Sequence, residues 1–375
     1  MKMSKIIISG GGTGGHIFPA VSIADALMRI DPDCEILFVG ALGRMEMERV
    51  PAAGYKIVGL PVAGLQRKLS LSNIALPFKV LKSIREASRI INDFHPDVVV
   101  GVGGYASAPV LWAASNKKIP CLIQEQNSYA GLTNKLLGKR VGKICVAYDH
   151  MEKFFPAEKI VFTGNPIRTD IAPATAEQRT QGYKLYGLNP NKKTIFVVGG
   201  SLGSRTLNNA IKKWIEEKSK DADYQILWQS GKYYKTGVDA FMNEHKPENV
   251  VNLEFIKRMD LAYAVSDIIV SRAGAGTISE LCVAGKATIF VPSPNVSEDH
   301  QRHNAMALVE KDAALMVIDN EAVNLLMDTA EVLLHNNGKI AQMEQNILKL
   351  GKKDAAKVIA EMIIEMKKGN SKDVR

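Results

Sequence analysis

The chain has few cysteines and no long apolar run. Its 375 residues include four cysteines, widely separated along the chain, at Cys34, Cys121, Cys145 and Cys282. No Cys-x-x-Cys pair or Cys/His cluster occurs, so neither a zinc site nor a disulfide framework is predicted, and a reducing compartment fits. No stretch approaches the roughly 18 apolar residues that a membrane-spanning helix needs, and the first apolar run is too short for a signal peptide. We therefore expect a cytoplasmic protein, or one attached to a membrane from one side.

Acidic residues are outnumbered, with 39 Asp+Glu against 48 Lys+Arg and a formal net charge of +9 at pH 7. The excess is uneven, because the chain up to Thr163 has 20 basic and 13 acidic residues, whereas the remainder has 28 and 26. A basic first half indicates an anionic partner, which on charge alone can be a nucleic acid, an anionic lipid surface or a phosphorylated substrate. Plain solubility accounts for the same charge equally well.

Short runs rich in Ile and Val alternate with longer amphipathic stretches, which predicts βαβ units and parallel sheets. The first series of strands covers residues 5–9, 35–39, 97–100 and 121–124. A second series covers residues 194–198, 225–228, 250–253, 268–271 and 287–291. The polar stretch from Gly164 to Lys193 between them is interpreted as a linker region. We therefore predict two Rossmann-like, doubly wound α/β domains that face each other across a ligand-binding cleft.

Three glycine-rich loops follow predicted strands and precede predicted helices: Gly10–His16, Gly101–Tyr105 and Gly199–Ser204. Glycine lets the backbone approach a ligand closely, and the N–H groups at the start of a helix attract phosphate. The first loop also fits the Gly-x-Gly-x-x-Gly fingerprint of dehydrogenases. That fingerprint expects an acidic residue at the end of the second strand, but this strand ends at Gly40-Ala41. A dehydrogenase is therefore disfavoured, and no Gly-Lys-Ser/Thr follows any loop to make a P-loop.

A strand, a turn of small residues and a helix follow one another in the segment 271–280. Gly276 and Thr277 can present N–H groups and a hydroxyl to a diphosphate, and Glu280 can accept hydrogen bonds from vicinal ribose hydroxyls. Further along, Gln301 and Asn304 share a helix face that suits the hydroxyls of a sugar. An ordinary helix start with exposed polar residues fits that last segment as well.

Eight motifs occur in a fixed order along nearly the whole chain. They are Gly-Gly-Thr-Gly-Gly-His at 11–16, Gly-Gly-Tyr-Ala-Ser-Ala-Pro at 103–109, Glu-Gln-Asn at 125–127, Ala-Gly-Leu-Thr-Asn-Lys at 130–135, Gly-Asn-Pro-Ile-Arg at 164–168, Gly-Gly-Ser-Leu-Gly-Ser at 199–204, Arg-Ala-Gly-Ala-Gly-Thr-Ile-Ser-Glu at 272–280 and Asp-His-Gln-x-x-Asn-Ala at 299–305. In these motifs the sequence resembles the MurG family, the GT-B-fold N-acetylglucosaminyltransferases of peptidoglycan synthesis. Two positions depart from the family pattern. Gln124 stands where histidine is frequent, and Leu202 stands where glutamine is usual.

The resemblance implies an inverting transfer of GlcNAc from UDP-GlcNAc to the C4 hydroxyl of MurNAc in undecaprenyl-diphospho-MurNAc-pentapeptide. The implied donor-binding residues are Thr13, Gly14, Gly15, Asn127, Arg168, Ser201, Ile256, Ala275, Gly276, Thr277, Glu280 and Gln301. Among them, Ile256 is expected to contact the uracil through its backbone. Gly104 and Tyr105 are expected at the acceptor. Two alternatives remain open: a related GT-B enzyme acting on another lipid acceptor, and a subunit that binds a nucleotide sugar without catalysis.

An inverting displacement needs a base for the acceptor proton, and His16 is the candidate because imidazole titrates near neutral pH. Glu125 is the rival base or an acceptor contact, and a structural role under the loop is the alternative for His16. No Asp-x-Asp metal site lies near the proposed donor loops, so no metal and no cofactor are expected. Helix N-termini and Arg168 can stabilise the departing UDP instead; for Arg168 a plain surface position is the alternative.

The break between the two strand series predicts three parts, residues 1–163, 164–345 and 346–375. By resemblance, the first part faces the acceptor and the membrane, the second binds UDP-GlcNAc, and the last is a helix and tail. Residues 65–89 contain six basic residues interleaved with apolar ones, which indicates contact with an anionic bilayer or, alternatively, an ordinary amphipathic helix. The implied location is peripheral, on the cytoplasmic face of the cell membrane. No nucleic acid is expected, and cell-wall or division proteins are open as partners.

Overall fold

The computed structural model describes residues 3–62 and 76–370. It divides the chain into two compact units. The first comprises the chain up to Ile167 together with the chain from Lys352 onward, and the second comprises Arg168–Gly351. The first unit is therefore built from both ends of the chain, and the second from one continuous segment.

The first unit has a seven-stranded sheet in the order β3-β2-β1-β4-β5-β6-β7, in which every neighbouring pair is parallel. Its strands are β1 (Lys5–Ser9), β2 (Glu35–Ala41), β3 (Lys56–Leu60), β4 (Val98–Gly101), β5 (Cys121–Glu125), β6 (Lys143–Val146) and β7 (Ile160–Phe162). Because all neighbours are parallel, the loops that follow the central strands leave the sheet at a single edge.

The second unit has a six-stranded sheet in the order β10-β9-β8-β11-β12-β13, again with parallel neighbours throughout. Its strands are β8 (Thr194–Val198), β9 (Gln225–Gln229), β10 (Val250–Leu253), β11 (Ile268–Ser271), β12 (Thr288–Phe290) and β13 (Leu315–Met316). The prediction of two α/β domains with parallel sheets is confirmed.

Helices connect the strands of both units. In chain order they are α1 (Gly14–Ile30), α2 (Glu46–Ala52), α3 (Leu76–Phe94), α4 (Ser107–Asn116), α5 (Leu132–Leu137), α6 (Ala176–Tyr186), α7 (Arg205–Glu217), α8 (Lys235–His245), α9 (Met259–Val265), α10 (Ala275–Ala284), α11 (His300–Val309), α12 (Ala322–Leu334), α13 (Asn337–Lys349) and α14 (Ala355–Asn370). Within the described residues, none of these helices is both long and apolar enough to cross a membrane.

The first unit buries an apolar core on each face of its sheet. Successive strand residues point to opposite faces, so Ile6 and Ile8 join one core while Ile7 joins the other. The core around Ile6 also contains Ile359 and Ile363 of α14, and α14 packs along α1. The C-terminal helix therefore completes the core of the first unit, although it is the last element of the chain.

The linker interpretation of the polar stretch before β8 is wrong in part, because α6 lies there. The helix starts with a capping box, in which Thr175 Oγ1 accepts from Gln178 N and Thr175 N donates to Gln178 Oε1. Its buried Gly182 and Tyr186 face α9. Such a short contact surface produces little amphipathic pattern, so the capping box is the sequence feature that indicates this helix.

All four cysteines are buried free thiols. Burial raises the pKa of Cys121 and of Cys282 to about 12, so these thiols stay protonated at neutral pH and behave as small apolar side chains.

Candidate functional site

The first glycine loop is held from behind by a buried carboxylate. Glu46, at the start of α2, is 1% exposed, and its two oxygens accept from Gly12 N at 2.8 Å and Ala41 N at 2.9 Å. One carboxylate therefore joins the loop after β1 to the end of β2. A negative charge in this position disfavours a second anion at the same backbone donors. This argues against a pyrophosphate at Gly12 and agrees with the rejection of a dehydrogenase.

The second glycine loop interlocks with the first. Gly11 N donates to Gly103 O at 3.3 Å, and Ser107 Oγ donates to Ser9 O at 2.7 Å and to Gly103 O at 3.0 Å. Gly104 has φ +87°, and a Cβ at this position would overlap the carbonyl oxygen of Gly11. Only glycine satisfies both conditions. The fit leaves the side chain of the next residue, Tyr105, half exposed.

His16 lies in the first turn of α1, directly above the two loops. Its Nδ1 is 2.9 Å from Gly11 O and 3.4 Å from Thr13 Oγ1. A carbonyl oxygen only accepts, so this geometry assigns the ring proton to Nδ1 and leaves the basic lone pair of the neutral ring on Nε2. The Nε2 atom borders Gly103, where an added Cβ would come within 3.0 Å of it. The loops thus fix both the orientation and the tautomer of the imidazole.

Glu125 ends β5 with a fully engaged carboxylate. It is 1% exposed and accepts from Asn127 N at 3.0 Å, Asn127 Nδ2 at 3.3 Å, Gly131 N at 3.0 Å and Asn134 Nδ2 at 2.9 Å. Four donors thus surround its two oxygens. In this conformation the carboxylate organises the chain from Asn127 to Asn134, while Oδ1 of Asn134 is buried without a hydrogen-bond partner in the described structure.

A chain of buried amides lies beside Glu125. Gln124 Nε2 donates to Asn165 Oδ1 at 2.8 Å, Asn165 Nδ2 donates to Gln126 O at 3.0 Å, and Gln126 Nε2 donates to Val102 O at 2.8 Å. Gln124, where the family frequently has histidine, therefore ties β5 to the segment around Asn165. The departure preserves a hydrogen-bonding side chain at this position.

In the second unit, the third glycine loop leaves β8 and is supported from β9. Gln229 Nε2 donates to Gly200 O at 3.0 Å, and Gln229 Oε1 accepts from Ile256 N at 2.9 Å. Ser201 O accepts from Lys232 N and Leu202 O accepts from Tyr233 N, both at 3.3 Å. The side chains of Ser201 and Leu202 remain exposed, so the backbone of Leu202 is structural while its side chain is available at the surface.

A guanidinium group lies under the same loop. Arg272 donates to Ser204 Oγ at 2.6 Å, to Val291 O at 2.9 Å and to Asp319, with which it also forms an ion pair. Asp319 in turn accepts from Thr206 Oγ1 at 3.1 Å. The planar guanidinium thereby connects the segments that follow β8, β11 and β12.

The segment 271–280 forms the strand, turn and helix start that the sequence predicts. Ala275 is the first residue of α10, and Gly276 and Thr277 complete its first turn, where backbone N–H groups lack partners within the helix. One turn on, Glu280 accepts from Arg168 through two bonds of 3.0 and 2.9 Å and from the buried Tyr263 hydroxyl at 3.1 Å. This places an anion-binding helix start next to a carboxylate with two polar partners.

Electrostatics follow from this grouping. Burial, and then the charge of Glu280, raise the pKa of the Tyr263 hydroxyl well above its ordinary value. For Arg168, burial lowers the pKa but the adjacent Glu280 more than offsets it, so the net pKa is raised. Both partners therefore stay protonated and remain hydrogen-bond donors to the carboxylate.

Gln301 and Asn304 do not act together as the sequence suggested. Gln301 Oε1 accepts from Ser293 N at 2.9 Å and from Ala273 N at 3.2 Å, and the side chain is half-buried. Asn304 is completely buried and lies against Ala273 O. The expectation that Asn304 presents its amide to a sugar is therefore wrong, since its side chain packs under the turn that precedes α10.

The structure groups the predicted site residues by unit. The first unit contains Thr13, Gly14, Gly15, His16, Gly104, Tyr105, Glu125 and Asn127. The second unit contains Arg168, Ser201, Ile256, Ala275, Gly276, Thr277, Glu280 and Gln301. Three supporting residues were not singled out from the sequence, namely Glu46, Gln229 and Arg272. Only Arg272 had a signal, because it begins one of the quoted motifs.

Among the residues that the structure describes, no group of three or more His, Cys, Asp or Glu side chains is placed to hold a metal ion.

Two parallel-sheet units with glycine loops at the carboxyl ends of strands are the architecture of the GT-B fold. Family models identify the class as glycosyltransferase. The N-terminal domain model of glycosyltransferase family 28 matches residues 6–146, and the C-terminal domain model matches residues 194–359. The chain belongs to glycosyltransferase family 28.

Relatives that match nearly the whole chain indicate which members of the family it resembles. A protein of Parabacteroides distasonis is 51% identical over 98% of this chain and 99% of its own length, and one of Cytophaga hutchinsonii is 51% identical over 97% of each. Both are named UDP-N-acetylglucosamine–N-acetylmuramyl-(pentapeptide) pyrophosphoryl-undecaprenol N-acetylglucosamine transferase. The crystal structure of Acinetobacter baumannii MurG superimposes with a TM-score of 0.76 at 29% identity, covering 96% of this chain and 99% of that one. The resemblance to the MurG family is confirmed.

Proposed function

We propose that this chain transfers GlcNAc from UDP-GlcNAc to the C4 hydroxyl of MurNAc in undecaprenyl-diphospho-MurNAc-pentapeptide, with inversion at the anomeric carbon. The observation that carries the proposal is the full-length identity of 51% to transferases that bear this activity in their names. The match extends through both units, which supports assigning both a donor site and an acceptor site to this chain.

The second unit supplies the donor site. The N-terminus of α10 receives the diphosphate at Ala275, Gly276 and Thr277, and the oxygens of Glu280 accept from the ribose hydroxyls. Arg168 now occupies both oxygens of Glu280. When the ribose hydroxyls replace Arg168 at Glu280, the guanidinium is released. It can then pair with the negatively charged diphosphate instead of with the carboxylate.

Uracil and GlcNAc take the two ends of this site. Uracil pairs with the backbone at Ile256, beside the exposed Ser201 loop. GlcNAc meets the half-buried amide of Gln301, whose oxygen is held by Ser293 and Ala273 so that its Nε2 is oriented as a donor. The resemblance also assigns Thr13, Gly14, Gly15 and Asn127 of the first unit to donor binding.

The first unit supplies the acceptor site and the base. The acceptor hydroxyl attacks the anomeric carbon as the bond to UDP breaks, and Nε2 of His16 takes the hydroxyl proton. Gly104 and the half-exposed Tyr105 line the acceptor. The negative charge that develops on UDP is stabilised by the N–H groups of α10 and by Arg168. We assign His16 as the base because Glu125 is buried under four donors and orients Asn127 instead.

A membrane surface is the third partner, because the acceptor carries a polyprenyl chain. In α3 the exposed basic residues Lys82, Arg85 and Arg89 lie on one face, together with exposed Leu81. The opposite face, with Ala87 and Ile91, is buried in the core. α3 packs on α4, whose partly exposed Trp112 is stacked under Arg140 at 3.5 Å. The earlier part of the predicted membrane segment, residues 65–75, lies outside the described residues.

Labelled UDP-GlcNAc, incubated with and without polyprenyl-diphospho-MurNAc-pentapeptide, tests the proposal. We expect label in the lipid fraction only with that acceptor. Hydrolysis of the labelled lipid should release a disaccharide with a β linkage. Diacylglycerol serves as the comparison acceptor, and efficient transfer to it would favour the related lipid glycosyltransferase. UDP binding without transfer to either lipid would favour the non-catalytic subunit.

A further inference from the structure

The side chain of Gln229 occupies a central position in the second unit. It is the last residue of β9, whose neighbours in the sheet are β8 on one side and β10 on the other. In register, Gln229 pairs with Val198 and with Leu253, the last residues of those two strands. The loop after β8 contains Ser201 and the loop after β10 contains Ile256, which are two of the proposed donor contacts.

The amide of Gln229 spans these two loops. Its nitrogen donates to Gly200 O at 3.0 Å, and its oxygen accepts from Ile256 N at 2.9 Å. The side chain is 3% exposed, so water does not compete for these bonds, and losing either leaves a buried polar group unpaired. The residues that follow reinforce the link, because Gly231 packs against the backbone of Gly203 and Gly231 N donates to Glu254 O at 3.1 Å.

The bond to Ile256 also limits what that residue offers a ligand. Its N–H is committed to Gln229, so the backbone group left for recognising a base is its carbonyl, which only accepts. An acceptor suits the N3–H of uracil. It is mismatched to cytosine, whose N3 is itself an acceptor, and facing acceptors disfavour binding.

We infer that Gln229 is a positioning residue that sets both the affinity and the uracil selectivity of the donor site, by clamping the Gly200 and Ile256 backbones together. The inference rests on the proposed function, since it requires the uridine of the donor to lie between these loops. Gln229 acts through the two backbones and does not itself touch the nucleotide.

The same strand provides a matched control. Gln225 begins β9, is 4% exposed, and uses its amide in the same way, accepting from Asn189 N at 2.9 Å and donating to Asn189 O and Thr194 Oγ1. It therefore matches Gln229 in residue type and burial and makes four side-chain hydrogen bonds against two, but lies at the amino end of the strand. Gln225→Met removes more hydrogen bonds than Gln229→Met, at the opposite end of the same strand, so it controls for the loss of a buried amide.

The experiment measures the dissociation constants of UDP and CDP by titration calorimetry for the full chain and its variants. For Gln229→Met we expect UDP binding to weaken about tenfold or more, and the CDP/UDP ratio of dissociation constants to fall about fivefold, because Ile256 N–H is released. KM for UDP-GlcNAc should rise with kcat changed much less. Gln225→Met should lower the unfolding temperature while both dissociation constants stay at their wild-type values.

Gln229→Glu separates the two arms of the clamp. A carboxyl group accepts from Ile256 N–H in either protonation state, so this variant should keep the wild-type CDP/UDP ratio even where overall affinity falls. This measurement also decides the question if Gln229→Met does not fold. Wild-type UDP affinity in Gln229→Met, or loss of selectivity in Gln229→Glu, would overturn the inference. A wild-type chain that binds UDP and CDP equally would instead contradict the proposed donor site.

Discussion

The two units present glycine loops from equivalent parts of their sheets, but the groups behind the loops differ, being a carboxylate in the first unit and an Arg272–Asp319 ion pair in the second. In the first unit the carboxylate of Glu46 holds Gly12 and Ala41. In the second, the guanidinium of Arg272 holds Ser204 and Val291. Similar backbone geometry therefore creates different electrostatic environments. The guanidinium and the helix start of the second unit fit the diphosphate of the proposed donor, whereas the carboxylate of the first unit disfavours an anion at Gly12.

The same contrast extends to the exchangeable ion pair. Glu280 in the second unit meets its partners at the edge of the site, and one of them, Arg168, has a side chain that is 42% exposed. Glu125 in the first unit is enclosed by backbone and amide donors. Glu280 is placed to exchange a protein partner for a ligand, whereas Glu125 is placed to hold the surrounding chain in position. Four predictions test this contrast, and they are ordered by the size of the expected effect.

Replacing His16 by alanine should separate chemistry from donor binding most strongly. Loss of a general base costs about 10²–10⁴-fold in kcat, while KM for UDP-GlcNAc should stay within about threefold, because the second unit retains its contacts. Steady-state kinetics measure both, with His335→Ala as the control at the exposed end of α12. A large rise in KM with an unchanged kcat would reject the base assignment.

Glu280→Gln should weaken UDP binding by about 10–100-fold, the value of hydrogen bonds to a charged acceptor. The comparison with 2′-deoxy-UDP makes this specific. The deoxy compound should bind the wild type less well than UDP, and the variant should no longer distinguish the two. Glu310→Gln, on an exposed glutamate of the same unit, is the control. An undiminished preference for UDP in Glu280→Gln would place the ribose elsewhere.

Charge reversal in α3 should reduce attachment to anionic vesicles. Each basic residue near such a surface contributes about 1 kcal/mol, so Lys82→Glu with Arg85→Glu should lower partitioning by about 30-fold or more. Lys192→Glu with Lys220→Glu changes net charge equally on exposed positions of the second unit. If both double variants lose the same binding in sedimentation, net charge rather than α3 accounts for the attachment.

Glu46→Gln should have the smallest effect on ligands and act on stability. The amide of glutamine has one oxygen and one NH₂ group, so one of the two backbone N–H groups then faces a donor instead of an acceptor. The free energy of unfolding should therefore fall by about 1–3 kcal/mol. UDP affinity should remain within about twofold of the wild type, because the proposed contacts to UDP lie in the second unit. Glu48→Gln, exposed on the same helix, should leave chemical denaturation unchanged. Tighter UDP binding by Glu46→Gln would reveal a phosphate at the first loop.

The regular elements were readable from the sequence because their signal is local. The strands Thr194–Val198 and Val250–Leu253 have the bounds that their apolar patterns predict. Short or polar elements such as α6 and β7 were missed because they bury few apolar side chains. The parallel sheets then bring the predicted loops to the ends of neighbouring strands.

The supports of the site were not readable because their partners are distant in the chain. Glu46 lies beyond the end of β2, at the start of α2, and its carboxylate turns back to Gly12, which lies 34 residues earlier. Gln229 meets Gly200 and Ile256 on either side of it, 29 and 27 residues away. A single buried amide or acid carries no periodic signal, so only the folded chain reveals these contacts.

The placement of α14 affects the order in which the two units can fold during translation. The ribosome makes the first 167 residues early, yet their core lacks Ile359 and Ile363 until the last helix is translated. The second unit, being one continuous segment, has all its residues as soon as Gly351 emerges. The first unit is therefore begun first during synthesis but can complete its core only after the second unit has been made. A nascent chain stalled before α14 would hold a finished second unit beside an open first core, exposed to chaperones and proteases.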